Sequence, residues 1–273
     1  MDLNTIAEIA QPRARGEVPA WRAGDAWLAG GTWLYSEPQP KLRRLIDLAA
    51  FGWEPLRITT EGLDIAATCT IAQLDGFAMP PDWTAAPLVN QCCRAFYASF
   101  KIWTMATVGG NLCLALPAGP MISLTTALNG VCTLWAADGS ERHLPVVDFI
   151  TGWQQNALAS GELLRSIVLP VAVLTRRTAF RQISLAPLGR SAALLIGTLA
   201  PRDGAFVLTV TASTPHPVQI AFHEVPSASE LRARIESAIP ADGYFDDVHG
   251  APAWRRRMTL HLAEQIRAEL AGG

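Results

Sequence analysis

The chain has no C-x-x-C pair, no G-x-G-x-x-G string and no P-loop lysine motif, and each absence closes off a class of function. Its five cysteines, at 69, 92, 93, 113 and 132, are odd in number, so neither a zinc site nor a disulfide framework is indicated. Adjacent Cys92 and Cys93 read as ordinary thiols, because a bridge between neighbours is strained. An iron–sulfur cluster needs about four thiolates at short spacings, so any cluster must lie on another chain. Without the two nucleotide motifs, a Rossmann domain and a P-loop nucleotide triphosphatase are both poor readings. Charge is scarce as well. Only 17% of residues are charged, and 22 Lys plus Arg against 24 Asp plus Glu create no field that would hold phosphate backbones, which argues against nucleic acid as a ligand. No apolar run reaches the roughly 18 residues of a membrane span. Met1-Asp2-Leu3-Asn4 lacks the basic start and apolar stretch of a signal peptide, so a cytoplasmic protein without a membrane span is expected. The five histidines, at 143, 216, 223, 249 and 261, show no metal spacing and read as surface or capping residues. Gly189-Arg190-Ser191-Ala192-Ala193 misses the G-x-S-x-G nucleophile elbow by one position, which argues against a serine hydrolase.

What is present is apolar. Half of the 273 residues are hydrophobic, enough for two or three packed subdomains and for a surface that partner chains cover. Thr5 and Glu8 fit a capping box opening a short helix through Ala10, ended by the Gln11 to Gly16 stretch. Leu28-Ala29 running into Gly30-Gly31, then Leu45-Ile46-Asp47-Leu48, predicts two strands of a βαβ-like unit over residues 1–55, joined by a helical or looped crossover. A second subdomain, 56–172, begins with short alternating segments. It continues with a helix over Ile71 to Phe77, a glycine-rich turn at Thr107, and a helix from about Pro120 to Leu128. A hairpin with Asp138-Gly139 at its tip and the strand Ser166-Ile167-Val168-Leu169 complete it. Residues 173–273 read as antiparallel strands joined at Pro201-Arg202-Asp203-Gly204, followed by two helices. The last places Trp254, Met258, Leu262, Ile266 and Leu270 on one face. Arg255-Arg256-Arg257 reads as the solvated side of that helix. Strands followed by segregated helices make the class α+β.

Two segments have the chemistry of a phosphate cradle: Ala29-Gly30-Gly31-Thr32 and Thr107-Val108-Gly109-Gly110-Asn111. Glycines let backbone N–H groups converge on an anion without a Cβ in the way, and Thr and Asn add side-chain donors. Each alone is also a common turn signal. Nine tryptophans are many for this length, and Trp33 and Trp103 lie within or just before these segments, as core packing or as pocket walls.

These two segments, with Leu45-Ile46-Asp47-Leu48, the run Leu144-Pro145-Val146-Val147-Asp148-Phe149-Ile150-Thr151-Gly152 and Gly161-Glu162-Leu163-Leu164, resemble one family in order along the chain. The likeness continues through Leu169-Pro170, Phe180-Arg181-Gln182-Ile183-Ser184 and Asp247-Val248-His249-Gly250 before Trp254-Arg255-Arg256. The family is the FAD-binding medium subunit of the xanthine dehydrogenase and carbon monoxide dehydrogenase group, the molybdenum hydroxylases. The resemblance implies a two-subdomain FAD clasp of the vanillyl-alcohol-oxidase-like (PCMH) type, followed by a C-terminal domain of antiparallel sheet plus helices. It implies that Ala29, Gly30, Gly31, Thr32, Trp33, Thr107, Val108, Gly109, Gly110 and Asn111 hold FAD, with Leu164 and Arg181 beside the isoalloxazine. It also implies partners: a large molybdopterin-binding subunit and a small [2Fe–2S] subunit, whose electrons pass through FAD to an external acceptor. No catalytic residue and no metal ligand is expected on this chain.

Some residues depart from the family pattern. Trp103-Thr104 stand where many relatives have Arg-Asn, Pro120 where they have Asp, and Leu116 where a small polar residue is common. Each lost hydrogen bond to the cofactor is worth about 0.5–3 kcal/mol. Two other readings therefore stand beside the first: a scaffold subunit with weakened or lost FAD binding, and a self-sufficient flavin oxidase.

Overall fold

The computed structural model describes residues 3–272. Its first sheet is parallel, in the order β1 (Glu8–Ala10), β3 (Arg44–Asp47), β2 (Asp25–Leu28). The expected helix through Ala10 is thus a strand. Before Pro12 the segment is too short to repay helix nucleation, and pairing with β3 satisfies its backbone instead. Glu8 turns to Arg22, at 2.5 Å, and to Arg44, at 3.6 Å, rather than to a helix cap. The crossover from β2 to β3 is a loop. Parallel pairing is anchored by Arg44, whose guanidinium grips Asp25 at 2.9 and 2.6 Å and also donates to the Ala20 carbonyl.

The second sheet has the order β4 (Leu56–Ile58), β5 (Gly62–Ala66), β10 (Leu163–Pro170), β6 (Val131–Trp135), β7 (Glu141–Pro145), antiparallel throughout. The β6–β7 hairpin turns at Asp138-Gly139, where Gly139 has φ +87°. Between β5 and β6 run α1 (Ile71–Asp75), α2 (Ala86–Ala95), α3 (Phe100–Trp103), α4 (Val108–Leu114) and α5 (Pro120–Ala127). Thr70 and Gln73 form a reciprocal capping box at the start of α1. The segment α6 (Val146–Phe149) and the two-stranded pair β8 (Ile150–Gly152) and β9 (Gln155–Asn156) lead back to β10, which α7 (Val171–Leu174) follows. Tryptophan serves packing here: Trp53 and Trp135 lie 4.3 and 5.7 Å from the Arg165 guanidinium.

The third sheet is a meander of β11 (Arg177–Ile183), β12 (Ala193–Leu199), β13 (Phe206–Thr211) and β14 (Val218–Phe222), followed by α8 (Ala228–Ala238) and α9 (Pro252–Ala271). Strand alternation buries both faces of β12. Leu194 and Ile196 join the core under α5, while Ala193 and Leu195 join the core under α8 and α9. All eight residues of α5 are buried, which makes it the shared layer between the second and third sheets, and Ser123 is bonded to Thr211 across 2.6 Å. On the other face α9 packs so closely that a Cβ on Gly197 would lie 2.3 Å from Ile266. Among the described residues no helix is long and apolar enough to cross a membrane.

Arg255 is not on a solvated face. It is 1% exposed and donates to the carbonyls of Ala192, Ala212 and Gly250 at 2.6, 2.6 and 2.8 Å, with Asp247 as its counter-ion. Trp254 and Arg256 flank it outside the core, because successive helical residues are turned about 100° apart.

Candidate functional site

A cavity of about 770 Å³ opens where the three sheets meet. One wall is the chain leaving β2: Ala29, Gly30, Gly31, Thr32 and Trp33 all line it. Gly31 has φ +69°, and a Cβ on Gly30 would stand 1.7 Å from the Met105 carbonyl oxygen, so glycine here is required by the approach of two chain segments. Among the described residues the N–H groups of Gly30, Gly31, Thr32 and Trp33 have no protein acceptor. A short row of unpaired N–H groups on a glycine turn fits an anion such as a pyrophosphate. Trp27 lines the same wall and is fixed by its indole N–H donating to the Glu162 carbonyl at 2.9 Å.

The facing wall is the start of α4, a helix rather than the expected turn. Thr107 is its N-cap, with its hydroxyl accepting from the Gly110 N–H at 3.0 Å. Thr107, Gly109, Gly110 and Asn111 line the cavity, whereas Val108 does not. Val108 and Leu112, four residues apart and so on one helical face, are fully buried in the core. The amides here are already engaged: Val108 donates to Cys69, Gly109 to Ala67 and Asn111 to Thr107. This wall therefore contributes shape and side chains rather than free N–H groups. Asn111 uses its amide oxygen on the Met121 N–H at 3.1 Å. Gly109 is needed for packing, since a Cβ would meet Ala67 at 2.5 Å.

Leu164, on β10, lines the cavity, but Arg181 does not. Arg181 pairs with Leu195 of β12 on the sheet face that α9 covers, and there it binds Glu269 at 2.5 Å. Alternation sends Phe180 and Gln182 to the other face, and Gln182 donates to the hydroxyl of the cavity residue Tyr97 at 2.5 Å. Tyr97, Arg190 and His249, which the sequence did not mark as cofactor-binding, are also in the wall. Each is in a loop, where no periodicity marks direction. Leu116 and Pro120 also line the cavity and present apolar atoms to it. Trp103 instead braces the neighbouring loop, its indole donating to the Phe96 carbonyl at 3.0 Å. Cys113 lines the wall, but burial pushes its thiol up to about 12, which leaves no thiolate for chemistry near neutral pH.

Residues 7–172 match the family model described as the FAD binding domain in molybdopterin dehydrogenase. The chain is 39% identical over 85 residues to the caffeine dehydrogenase subunit beta of Pseudomonas sp. (strain CBB1), covering 31% of this chain and 28% of that protein. It is 26% identical over 121 residues to the xanthine dehydrogenase of Oryza sativa subsp. japonica, covering 42% of this chain and 9% of that one. The matched segments thus span less than a third of these relatives. In fold it is similar to a chain of quinoline 2-oxidoreductase from Pseudomonas putida 86, with a TM-score of 0.79 at 18% identity over 99% of this chain and 98% of the other. A family model that takes in both glycine segments and most of the cavity wall between them establishes that the chain belongs to the FAD-binding family of the molybdopterin dehydrogenases.

Proposed function

We propose that this chain is the flavin-bearing, electron-transferring subunit of a molybdenum hydroxylase complex, working beside a large molybdopterin-binding subunit and a small [2Fe–2S] subunit. The observation that carries this reading is the row of unpaired N–H groups on Gly30–Trp33, in a cavity whose described lining contains no carboxylate. On this reading those N–H groups take the FAD pyrophosphate. Thr107, Gly109, Gly110 and Asn111 form the wall that the dinucleotide lies against, and Leu164 with Leu163 packs against the isoalloxazine. When bound, FAD supplies the exchange between single electrons arriving from the clusters and the delivery of a pair to an external acceptor. The protein's part is to bind, orient and shield it. The chain divides for this task at about residues 55 and 172, with FAD between the first two parts and the third closing the ring end.

Purified alone, the chain should show an oxidised-flavin absorption spectrum at about one FAD per chain. Expressed with its partner subunits, it should purify with molybdenum and iron. A folded chain without flavin, even after incubation with FAD, would overturn the electron-transfer reading in favour of a scaffold subunit, the reading that Leu116 and Pro120 in the wall favour.

A further inference from the structure

One formal charge stands in the described wall of the cavity. Arg190, in the segment joining β11 to β12, lines it and has no hydrogen-bond or ion-pair partner among the described residues. His249 is the other basic side chain there. Both are set in place by the buried Arg255. Its guanidinium holds the carbonyls of Ala192, two residues after Arg190, and of Gly250, one residue after His249. The two segments touch at this point, since a Cβ on Gly250 would lie 3.3 Å from that of Ala192. Arg181 cannot serve the cavity without a one-residue slip of β11, which would send Phe180 and Gln182 out of their own contacts.

We propose, on the reading that the cavity holds FAD, that Arg190 is the cation facing the flavin ring and favouring its reduced, anionic form, in the place beside the isoalloxazine that the resemblance gives to Arg181. The pyrophosphate has its donors on the segment after β2, so a cation brought in by the C-terminal sheet is left for the ring. No carboxylate in the described lining competes for the Arg190 guanidinium, so its charge is free to act on an anion in the cavity.

The test uses the full chain loaded with FAD and two readouts: the midpoint potential against a redox dye, and the dissociation constant of oxidised FAD by fluorescence. Arg190→Met should weaken binding of reduced relative to oxidised flavin at least tenfold. For a two-electron couple that is a fall of about 30 mV. Arg190→Lys should recover most of the shift, and Arg181→Met should leave the potential in place. Arg190 is exposed and has no hydrogen bond or ion pair to lose, so both variants at that position should unfold at the wild-type temperature. Equal potentials in wild type and Arg190→Met would overturn the proposal. So would a shift on Arg181→Met instead, or a tenfold loss of oxidised-FAD affinity with the potential unmoved, which would place Arg190 on the phosphates. A wild-type chain that takes up no FAD would instead bring down the functional reading itself.

Discussion

At Gly30 a single methyl group decides whether the cavity can form. The Met105 carbonyl oxygen occupies the space a Cβ would need, so Gly30→Ala must part the two segments whose approach closes the wall. FAD affinity should fall at least tenfold, about 1.4 kcal/mol, in a fluorescence titration. Gly110 is a different case. A Cβ there would lie 2.9 Å from the Thr107 hydroxyl, so Gly110→Val should lose FAD and also break the cap, at about 1 kcal/mol of stability. A Gly110→Val chain that loses thermal stability but keeps stoichiometric FAD would show that Gly110 serves the cap rather than the cofactor. Glycine was legible in the sequence because its reason is local backbone geometry. Val108 and Arg181 were not, because the direction of a side chain depends on which face of an element is covered.

Among the elements, α9 shows how a run of like charges can divide. Arg255 is sealed between three carbonyls and Asp247, and burial pushes its guanidinium down from the ordinary range. Arg255→Met should cost about 3 kcal/mol, because it leaves acceptors buried without donors, and should lower Tm by roughly 10 °C. Arg256→Met breaks one exposed pair with Glu236 and should cost under about 1 kcal/mol. Equal shifts in thermal unfolding would refute the division. The same Arg255 bonds hold the loop that carries His249, so the destabilised variant should also bind FAD more weakly.

For the molecule as a whole, two carboxylates tie distant segments together. The Arg44 guanidinium holds Asp25 below its usual range, and the Arg142 guanidinium, at 2.7 Å to both oxygens, does the same for Glu162. A depressed pKa contributes stability that is complete above the unfolded value and is lost as pH falls through the folded one. Tm should therefore be level near neutrality and begin to drop below about pH 4, where unfolded carboxylates protonate. Asp25→Asn and Glu162→Gln should each lower Tm at pH 7 and flatten the acid slope. An unchanged slope in both would show that other groups govern acid unfolding. Glu162 matters beyond its charge, because its carbonyl fixes Trp27 in the cavity wall and so couples the first sheet to β10.

The α+β class, the two glycine segments and the family were present in the sequence, because they rest on periodicity, turn chemistry and motifs that act over a few residues. Tertiary structure alone decided that Glu8–Ala10 pairs as a strand, since a short segment takes whichever partner satisfies its backbone. It decided that α4 turns Val108 inward and that β11 turns Arg181 toward Glu269, since which side of an element is buried is settled by what packs on it. It also brought Arg190 and His249, 59 residues apart in the chain, into one wall through the carbonyls that Arg255 gathers, a junction that no local pattern records.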